Sequence, residues 1–285
     1  MGTDRTSAID AANAKFWDEL CGSQIATQFG IKDRSDASLK IFDDAYFSYY
    51  PYLLRRVPVA AMAGKTVLEI GLGYGTLGQK IAEHCAYYNG LDIAQGPVDM
   101  MNTRLRMLGL AGEARQGNML HCPFPDESMD CVVSIGCFHH TGNTQRCIDE
   151  TWRVLKPGGQ AYIMVYNRFS LRQWQRWPLR TLSALLGPER SPVSDVQRSA
   201  YDTRSDGSGA PETEFFSRRQ LKGMFSRFRS LSLAAENCDP ISILSYDHLY
   251  VRGRALIKSM VIQRGFLLPT VGRLFGLDLY MTATK

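Results

Sequence analysis

One short stretch, Lys65 to Thr76, constrains the fold of this chain more than any other. It opens with Val67, Leu68 and Ile70, an apolar run typical of strands buried on both faces of a parallel sheet. Glycines follow at positions 71, 73 and 75, and the residues after them have a helical pattern. Glycine lets the backbone turn sharply and lie against a ligand because it has no Cβ atom. The order of strand, turn and helix predicts the first half of a doubly wound nucleotide-binding unit.

Three interpretations of the ligand compete. Gly64-Lys65-Thr66 would suit a phosphate-binding loop, but its lysine precedes the strand instead of following it, so we reject that interpretation. The glycines at 73, 75 and 78 satisfy the dinucleotide fingerprint, and Asp92 follows 19 positions after Gly73. The third interpretation combines Glu69, at the strand end, with the alternating glycines. That pattern resembles the first motif of the class I S-adenosylmethionine (SAM) methyltransferases, whose ligand has an amino-acid end and no pyrophosphate.

Length and composition limit the class of protein. With 285 residues, 45% of them hydrophobic, the chain can bury a full core, and we expect one large domain with elaborations. No apolar run approaches the roughly 18–20 residues of a membrane span, and no charged-then-apolar signal opens the chain, so we expect a cytoplasmic protein. The 7 cysteines form no CxxC pair, which favours reduced, mostly buried thiols and no metal site.

Two predicted helices precede the glycine stretch. The first runs from Ala8 to Leu20. The second, from Leu39 to Val57, is dense in aromatic residues and is interrupted by Pro51, which lacks an N–H group. These helices either pack on the edge of the sheet or form a helical lid, residues 1–60, that excludes water and holds an apolar acceptor.

More strands are predicted after the glycine turn. Tyr87 to Ile93 is an apolar strand that contains Asp92. The Asp92 carboxylate can accept hydrogen bonds from both hydroxyls of a ribose or, alternatively, cap the following helix. That helix runs from Val98 to Gly109, with Gly109 as its cap. The remaining elements are a strand that ends near Met119, a strand from Cys131 to Ile135, a helix over 144–155 and a strand from Ala161 to Tyr166.

Four motifs then occur in order and at the expected separations. They are Leu-Glu-Ile-Gly-Leu-Gly-Tyr-Gly (68–75), Leu-Asp (91–92), Pro-Phe-Pro-Asp-Glu-Ser-Met-Asp (123–130) and Arg-Val-Leu-Lys-Pro-Gly-Gly (153–159). Together they resemble the small-molecule SAM methyltransferases related to the ubiquinone and menaquinone biosynthesis enzymes, over about residues 60–166. The dehydrogenase interpretation explains none of the later motifs. The resemblance implies SAM as the cofactor and a Rossmann-like seven-stranded sheet, doubly wound, whose seventh strand is antiparallel and lies between the fifth and sixth.

The resemblance also implies which residues of the core, 61–166, bind the cofactor. They are Glu69, Gly71, Leu72, Gly73, Gly75, Asp92, Ile93, Asn118, Met119 and Ser134. Asn118 stands where the family usually has an aspartate that accepts a hydrogen bond from the amino group of adenine. An amide oxygen can accept the same bond without the charge.

The C-terminal part completes the predicted sheet and adds two insertions. Residues 217–236 supply a helix, 217–225, and the sixth strand, Leu231–Ala235, and residues 277–285 contain the seventh strand. Residues 167–216 and 237–276 are then insertions, which we expect to be helical and to form an acceptor-binding cap. Within the first, residues 191–211 are rich in Ser, Gly and Pro and predict a mobile loop.

Positive charge is concentrated in the C-terminal half. Residues 1–150 carry 13 Lys and Arg against 18 Asp and Glu, whereas residues 151–285 carry 20 against 10, which suggests an acidic partner or surface. The first insertion has Arg168, Arg172, Arg176 and Arg180 at spacing four, which predicts one face of a helix that Pro178 kinks or splits. The second has Arg252, Arg254, Lys258, Arg264 and Arg273. These cations either face water, or gather an acidic or amphiphilic acceptor, or contact a membrane surface.

Candidate catalytic residues follow the fourth and fifth strands. His139 and His140 leave the fourth strand at its carboxyl end, where ligands bind in open α/β sheets. His140 is the favoured general base, a role that typically contributes about 10²–10⁴-fold to the rate. Alternatively, the two histidines are structural and hold the loop through hydrogen bonds. Tyr166 is a further candidate, for orienting the acceptor, and the sequence does not choose between O, N, C and S acceptors.

Several functional classes stay open. Methyl transfer to a small-molecule acceptor is favoured. A methyltransferase acting on RNA or protein would use the basic C-terminal half, but the chain has no signature for base-amino methylation and no RNA-binding module, so no nucleic-acid partner is expected. The substitution at Asn118 motivates a third class, a SAM-binding protein without activity, and an NAD-dependent oxidoreductase is the remote alternative. The sequence does not determine the oligomeric state.

Overall fold

The computed structural model describes residues 2–18, 35–187, 193–204, 206–242, 250–251, 254–255 and 261–285. The predicted end of the first helix at Leu20 lies outside the described residues, as do Cys21, Arg252 and Lys258. The chain divides into two compact units. One contains residues 1–166, 192–233 and 280–285, and the other contains residues 167–191 and 234–279.

Seven strands form one sheet in the described part of the chain. They are β1 (Thr66–Ile70), β2 (Tyr87–Asp92), β3 (Gly112–Gln116), β4 (Met129–Ile135), β5 (Leu155–Tyr166), β6 (Ser230–Glu236) and β7 (Asp278–Thr284), in the order β3-β2-β1-β4-β5-β7-β6. The first five are parallel to one another. Gly158 N–H donates to the Lys285 carbonyl and Asn167 N–H to the Leu277 carbonyl, so β7 runs antiparallel to β5. The predicted Rossmann-like sheet with an antiparallel seventh strand is confirmed.

Helices and turns connect the strands. The helices are α1 (Gly2–Trp17), α2 (Asp36–Tyr49), α3 (Leu53–Arg56), α4 (Thr76–Ala82), α5 (Gln95–Leu108), α6 (Thr144–Val154), α7 (Leu171–Arg176), α8 (Pro178–Leu186), α9 (Asp195–Ser199), α10 (Arg218–Met224), α11 (Arg264–Leu267) and α12 (Val271–Phe275). Three 3₁₀ turns lie at Val59–Met62, Met119–His121 and Phe138–His140. As predicted, Pro51 falls in the break between α2 and α3, and Gly109 ends α5 in the left-handed region, with φ 61°.

Strand β1 occupies the centre of the parallel part because its side chains are apolar on both faces. Val67 and Leu68 are fully buried. Leu68 lies opposite Asn89 of β2 on one side and opposite Val132 of β4 on the other. The carboxyl ends of these parallel strands therefore meet along one edge of the sheet, and the glycine turn after β1 lies in the middle of that edge.

The prediction that four arginines share one helix face was wrong. Arg168 precedes α7, Arg180 lies on α8, and the two between them lie on α7. Helix α7 ends at Arg176 because Pro178, which cannot donate a hydrogen bond, begins a new helix. Arg172 does not face water alone, since its guanidinium makes two hydrogen bonds of 2.6 Å to the Asp239 carboxylate.

The insertions also contain more than helices. The described parts of 237–276 include two short antiparallel ladders, Ile241–Ser242 with Val261–Ile262 and Tyr250–Val251 with Arg254–Ala255, besides α11 and α12. The predicted loop 191–211 contains α9 and an isolated bridge between Thr203 and Gly209. A capping box begins α9: the side chains of Ser194 and Gln197 each accept a hydrogen bond from the backbone N–H of the other residue.

The cysteines of the described ranges are free thiols. Cys122, Cys131, Cys147 and Cys238 are buried free thiols, and Cys85 and Cys137 are half-buried. Within the described ranges, no group of three or more His, Cys, Asp or Glu side chains is arranged to hold a metal ion. Likewise, none of the described helices has the length and apolar character needed to cross a bilayer.

Candidate active site

A cavity of about 200 Å³ opens at the carboxyl ends of β1, β2, β3 and β4. Seven of the residues predicted from the sequence line it, namely Gly71, Gly73, Asp92, Ile93, Asn118, Met119 and His140. The other predicted residues, Glu69, Leu72, Gly75, Ser134, His139 and Tyr166, do not line it.

The glycines after β1 have three different structural roles. Gly71 adopts φ 80°, and a Cβ atom on it would lie 2.6 Å from Cβ of Cys137. Gly73 adopts φ 51°, and a Cβ atom there would meet nothing within 4 Å, because it would project into open space. Gly75 begins α4 at φ 72°, where a Cβ atom would lie 2.9 Å from the Arg104 side chain. Gly73 is thus the position where a missing side chain leaves room for a ligand.

Asp92 presents a fixed carboxylate to the cavity. Its Oδ2 accepts a hydrogen bond of 2.7 Å from Leu72 N–H, and its Oδ1 accepts one of 2.9 Å from Ala94 N–H. Burial raises the pKa of Asp92 to about 6, although these backbone hydrogen bonds oppose the rise. Each carboxylate oxygen has a second lone pair, so both can still accept from a pair of neighbouring hydroxyls.

The pKa of Asp92 sets an expected pH dependence of nucleoside binding. Hydroxyl groups of a ribose donate to the ionised carboxylate, so a proton on Asp92 removes an acceptor. We expect the affinity for S-adenosylhomocysteine to be constant near pH 7 and to fall below about pH 6, by up to about tenfold per pH unit. Calorimetric titration between about pH 5 and 7.5 measures this. The Asp92→Asn variant should bind weakly with a flat profile, and a flat wild-type profile would contradict the assignment.

Glu69 lies beneath the glycine turn. Its carboxyl is buried and accepts a hydrogen bond from the hydroxyl of Tyr88. Burial raises the pKa of Glu69 to about 8, the Tyr88 bond lowers it, and the neighbouring Asp92 raises it. Glu69 is therefore mostly protonated at pH 7. Its role toward the cofactor stays a prediction.

Asn118 follows β3 and is already engaged within the protein. Its Oδ1 accepts a hydrogen bond of 2.9 Å from Leu120 N–H, and its Nδ2 donates one of 2.7 Å to Oδ2 of Asp10. Burial raises the pKa of Asp10, and the bond from Asn118 opposes this rise. The amide oxygen predicted to accept from adenine thus caps the Met119–His121 turn, and a carboxylate from α1 lies beside it.

His140 presents one ring nitrogen as a proton acceptor. Its Nδ1 lies 2.7 Å from the carbonyl oxygen of Glu212. Because a carbonyl can only accept, Nδ1 carries the proton of the neutral ring, and Nε2 keeps its lone pair. Nε2 is buried without a hydrogen-bond partner among the described residues and lies 3.5 Å from Oδ2 of Asp202. The hydroxyl of Tyr166 donates to Asp202 over 3.1 Å.

His139 differs from its neighbour. It is fully buried, and burial together with the proximity of His140 lowers its pKa well below the usual value, so it is neutral at pH 7. Its ring packs between His140, at 4.2 Å between ring centroids, and Tyr166, at 4.1 Å. Of the two histidines that follow β4, His140 therefore lines the cavity and His139 packs behind it.

Helix α1 supplies lining residues that the sequence analysis missed. Asp10, Asn13 and Trp17 all line the cavity. Their spacing of three and four places them on one helix face, a signal present in the sequence. Asp202 and Glu212, which orient His140, lie in the first predicted insertion, where no periodic pattern marks them.

The aromatic residues of α2 lie elsewhere in the same unit. Phe42 stacks on Tyr74 at 4.0 Å between ring centroids, and both pack with Leu39 and Met100. Thr76 and Arg104 bond the neighbouring Asp43. Helix α2 thus packs against the glycine turn and α5, and the choice between the two interpretations of this segment stays a prediction.

Comparisons with known sequences find relatives for the central part of this chain. Residues 68–163 match the methyltransferase domain family. The fatty-acid O-methyltransferase of Mycolicibacterium smegmatis is 33% identical over 44% of this chain and 47% of that protein. The phthiotriol/phenolphthiotriol dimycocerosates methyltransferase of Mycobacterium tuberculosis is 30% identical over 52% of this chain and 57% of that protein. The chain thus spans about half the length of these two relatives.

Solved structures share the fold. The YcgJ protein of Bacillus subtilis superposes with a TM-score of 0.54 at 16% identity, covering 83% of this chain and 98% of that one. A putative methyltransferase from Haloferax volcanii, solved in complex with the Trm112 activator, gives a TM-score of 0.52 at 18% identity, with coverage of 88% and 95%. At such identities the likeness concerns the fold alone.

The sheet order and the cavity at its carboxyl edge are those expected of a class I SAM-dependent methyltransferase, and residues 68–163 match the methyltransferase domain family. The cofactor of this chain is SAM, as the resemblance of the glycine turn implied, and the dinucleotide interpretation is set aside. The cavity fits this ligand: Gly73 leaves space beside the backbone, and Asp92 offers acceptors for a ribose. In addition, Oδ1 of Asn13 is buried on the cavity wall without a partner among the described residues, which a ligand donor would satisfy.

Proposed function

We propose that this chain methylates a small molecule that has an apolar body and loses a proton from the methylated atom. The observation that carries this proposal is the lone pair of His140 Nε2 beside Asp202. A base in this position is needed only where the acceptor has a proton to lose.

Gly71, Gly73 and Asp92 would hold the cofactor, which supplies a methyl group on a positively charged sulfur. At Nε2, His140 would take the proton that the acceptor loses on methylation, and the cofactor would supply the methyl group and leave as S-adenosylhomocysteine. The resulting imidazolium carries an N–H 3.5 Å from Asp202, whose negative charge stabilises it. Tyr166 holds the Asp202 carboxylate in place through its hydroxyl and is therefore a positioning residue. Such a base contributes about 10²–10⁴-fold to the rate.

An ionised acceptor needs no such base. The carboxylate of a fatty acid has already lost its proton at pH 7, whereas a phenol, an alcohol or a quinol ring carbon has not. The arrangement of His140 therefore favours a hydroxyl or carbon acceptor over a carboxylate. The relative from Mycolicibacterium smegmatis is named a fatty-acid O-methyltransferase, so the acceptor in its name differs from the acceptor proposed for this chain.

Support for an apolar body comes from side chains and from relatives. Tyr166, Tyr201 and Phe215 form an aromatic cluster next to His139, with ring centroids 4.8 Å apart for each pair that includes Tyr201. The cavity itself is lined by Trp17, Met119 and Ile135, which provide apolar contact area for lipid-like or quinone-like molecules. The named relatives include enzymes of fatty acids and of phthiotriol dimycocerosates, and the demethylmenaquinone methyltransferase of Tropheryma whipplei, 25% identical over 60% of this chain and 71% of that protein.

Weak contact with a membrane surface through the insertions is part of the proposal. Helix α8 buries Thr181 and Ala184, and its exposed face carries four leucines at 179, 182, 185 and 186. Leu179 is 83% exposed and Leu186 is 79% exposed. An apolar helix face near Arg176 and Arg180 suits an interface with anionic lipid, and co-sedimentation with anionic vesicles tests this contact.

The proposed acceptor class is tested by a panel of acceptors. The purified protein is incubated with SAM and, separately, with a long-chain alcohol, an alkylated catechol or quinol, a long-chain fatty acid, transfer RNA and a protein extract. We expect methylated product, measured by mass spectrometry, from the hydroxylated apolar compounds at a rate at least about tenfold above that of the carboxylate. Methylation of only RNA or protein, while S-adenosylhomocysteine binds normally, would overturn the acceptor class.

A further inference from the structure

Helix α1 lies along the cofactor cavity and is tied to it at three points. Asn118 donates to Asp10 near β3, Asn13 Nδ2 donates to the carbonyl of His140 after β4 over 2.7 Å, and Gly96 N–H donates to Asp18 over 2.7 Å. The ring of Trp17 also packs on that of His140, at 4.9 Å between centroids. One helix face therefore follows the cavity from the end of β3 to the end of β4.

The order of the strands fixes the order of groups along this cavity. From β3 to β4, the edge carries Asn118, then Asp92, then Gly73, then His140. Asp92 suits the ribose, and His140 suits the methyl group that reacts. The purine base would then lie beyond Asp92, on the side away from His140. That end of the cavity is the one where Asp10 and Asn118 meet.

At that end both side chains keep acceptor capacity, but the carboxylate of Asp10 keeps more of it than the amide of Asn118. The Asn118 oxygen is held by Leu120 N–H, and its amide group donates to Asp10. A carboxylate has about four lone-pair sites, and the bond from Asn118 uses one of those on Asp10. The exocyclic amino group of adenine is a donor. Asp10 therefore offers this donor more acceptor sites than Asn118 does.

We infer that Asp10 recognises the amino group of adenine and that Asn118 serves to hold the Asp10 carboxylate in position. A second observation places a ligand against the same helix face: one turn further along α1, Oδ1 of Asn13 is buried on the cavity wall without a partner among the described residues. Buried amide oxygens are normally hydrogen-bonded. The inference rests on the SAM site described above and adds the residue that reads the base.

A ligand with the opposite hydrogen-bonding group at this position tests the inference. In S-inosylhomocysteine a carbonyl oxygen replaces the adenine amino group, so it faces Asp10 acceptor against acceptor. We expect wild-type protein to bind S-adenosylhomocysteine at least about 100-fold more tightly, because a site built for a donor rejects a ligand that lacks it. In Asp10→Asn the new amide can donate to the carbonyl, and this preference should shrink at least about tenfold. Calorimetric titration gives both dissociation constants.

Asp18→Asn is the matched control on the same helix. It weakens the attachment of α1 at Gly96 but leaves the acceptor at position 10, so the affinity for both ligands falls together and their ratio stays at the wild-type value. An unchanged ratio in Asp10→Asn, with S-adenosylhomocysteine still bound, would show that α1 is a cover that does not read the base. Failure of wild-type protein to bind S-adenosylhomocysteine would instead remove the SAM site itself.

Exchange of the two side chains provides a second test. Asn118→Asp alone places two carboxylates 2.7 Å apart in a partly buried site, where like charges repel, and should weaken S-adenosylhomocysteine binding at least about tenfold. Combining it with Asp10→Asn restores one carboxylate and one amide. We expect the double variant to recover affinity to within a few-fold of wild type. A double variant no tighter than either single variant would overturn the pairing of these residues.

Discussion

Replacing Gly73 with valine should weaken binding of S-adenosylhomocysteine by at least about 100-fold, the cost of losing roughly 3 kcal/mol of binding free energy. A Cβ atom at Gly73 meets no protein atom within 4 Å, and Gly73 lines the cavity. A branched side chain there would occupy the space needed by the ligand. The backbone contributes a second effect, since φ is 51° and β-branched residues disfavour that region.

The control for this variant is Gly64→Val. Gly64 adopts φ 72°, also has nothing within 4 Å of an added Cβ atom, and does not line the cavity. Both variants should lose about 1–3 kcal/mol of unfolding free energy through backbone strain, measured by chemical denaturation. Only Gly73→Val should lose the ligand. Equal affinities in the two variants, measured by calorimetry, would show that the ligand does not pass beside Gly73.

Replacing His140 with alanine should lower kcat by about 10²–10⁴-fold with a hydroxyl acceptor, while the affinity for S-adenosylhomocysteine changes by no more than a few-fold. The reason is chemical: the variant removes the lone pair at Nε2, and Asp202 then has no imidazolium to stabilise. Steady-state kinetics with the best acceptor of the panel measures kcat and KM separately. A carboxylate acceptor, which loses no proton, should be much less affected.

His139→Phe is the matched control for this prediction. Phenylalanine keeps an aromatic ring between His140 and Tyr166, and it removes two ring nitrogens that have no hydrogen-bond partner among the described residues. Activity should stay within a few-fold of wild type, and stability should not fall, because a buried unpaired polar atom is replaced by carbon. Loss of kcat in His139→Phe with normal kcat in His140→Ala would assign the base to the other histidine.

The sequence by itself determined the parts of this protein that depend on neighbouring residues. The apolar run at Val67 and Leu68 and the glycines after it specified a buried strand, a turn and a helix, because backbone geometry there is limited locally. Pro51 and Gly109 marked helix boundaries for the same reason. The strand order and the cofactor followed from the resemblance of these motifs to the SAM methyltransferases, and Gly73 and Asp92 line the cavity as predicted.

Only the tertiary structure decided which side chains meet across the cavity. Asp10 and Asn118 are 108 positions apart, and His140 and the carbonyl of Glu212 are 72 apart. No local pattern marks such pairs, since the strand order and the path of α1 bring them together. Arg172 shows the same limit, because its spacing predicted only a shared helix face, whereas its guanidinium bonds the carboxylate of Asp239. Local preferences fix backbone elements, but hydrogen-bond partners depend on which elements pack together.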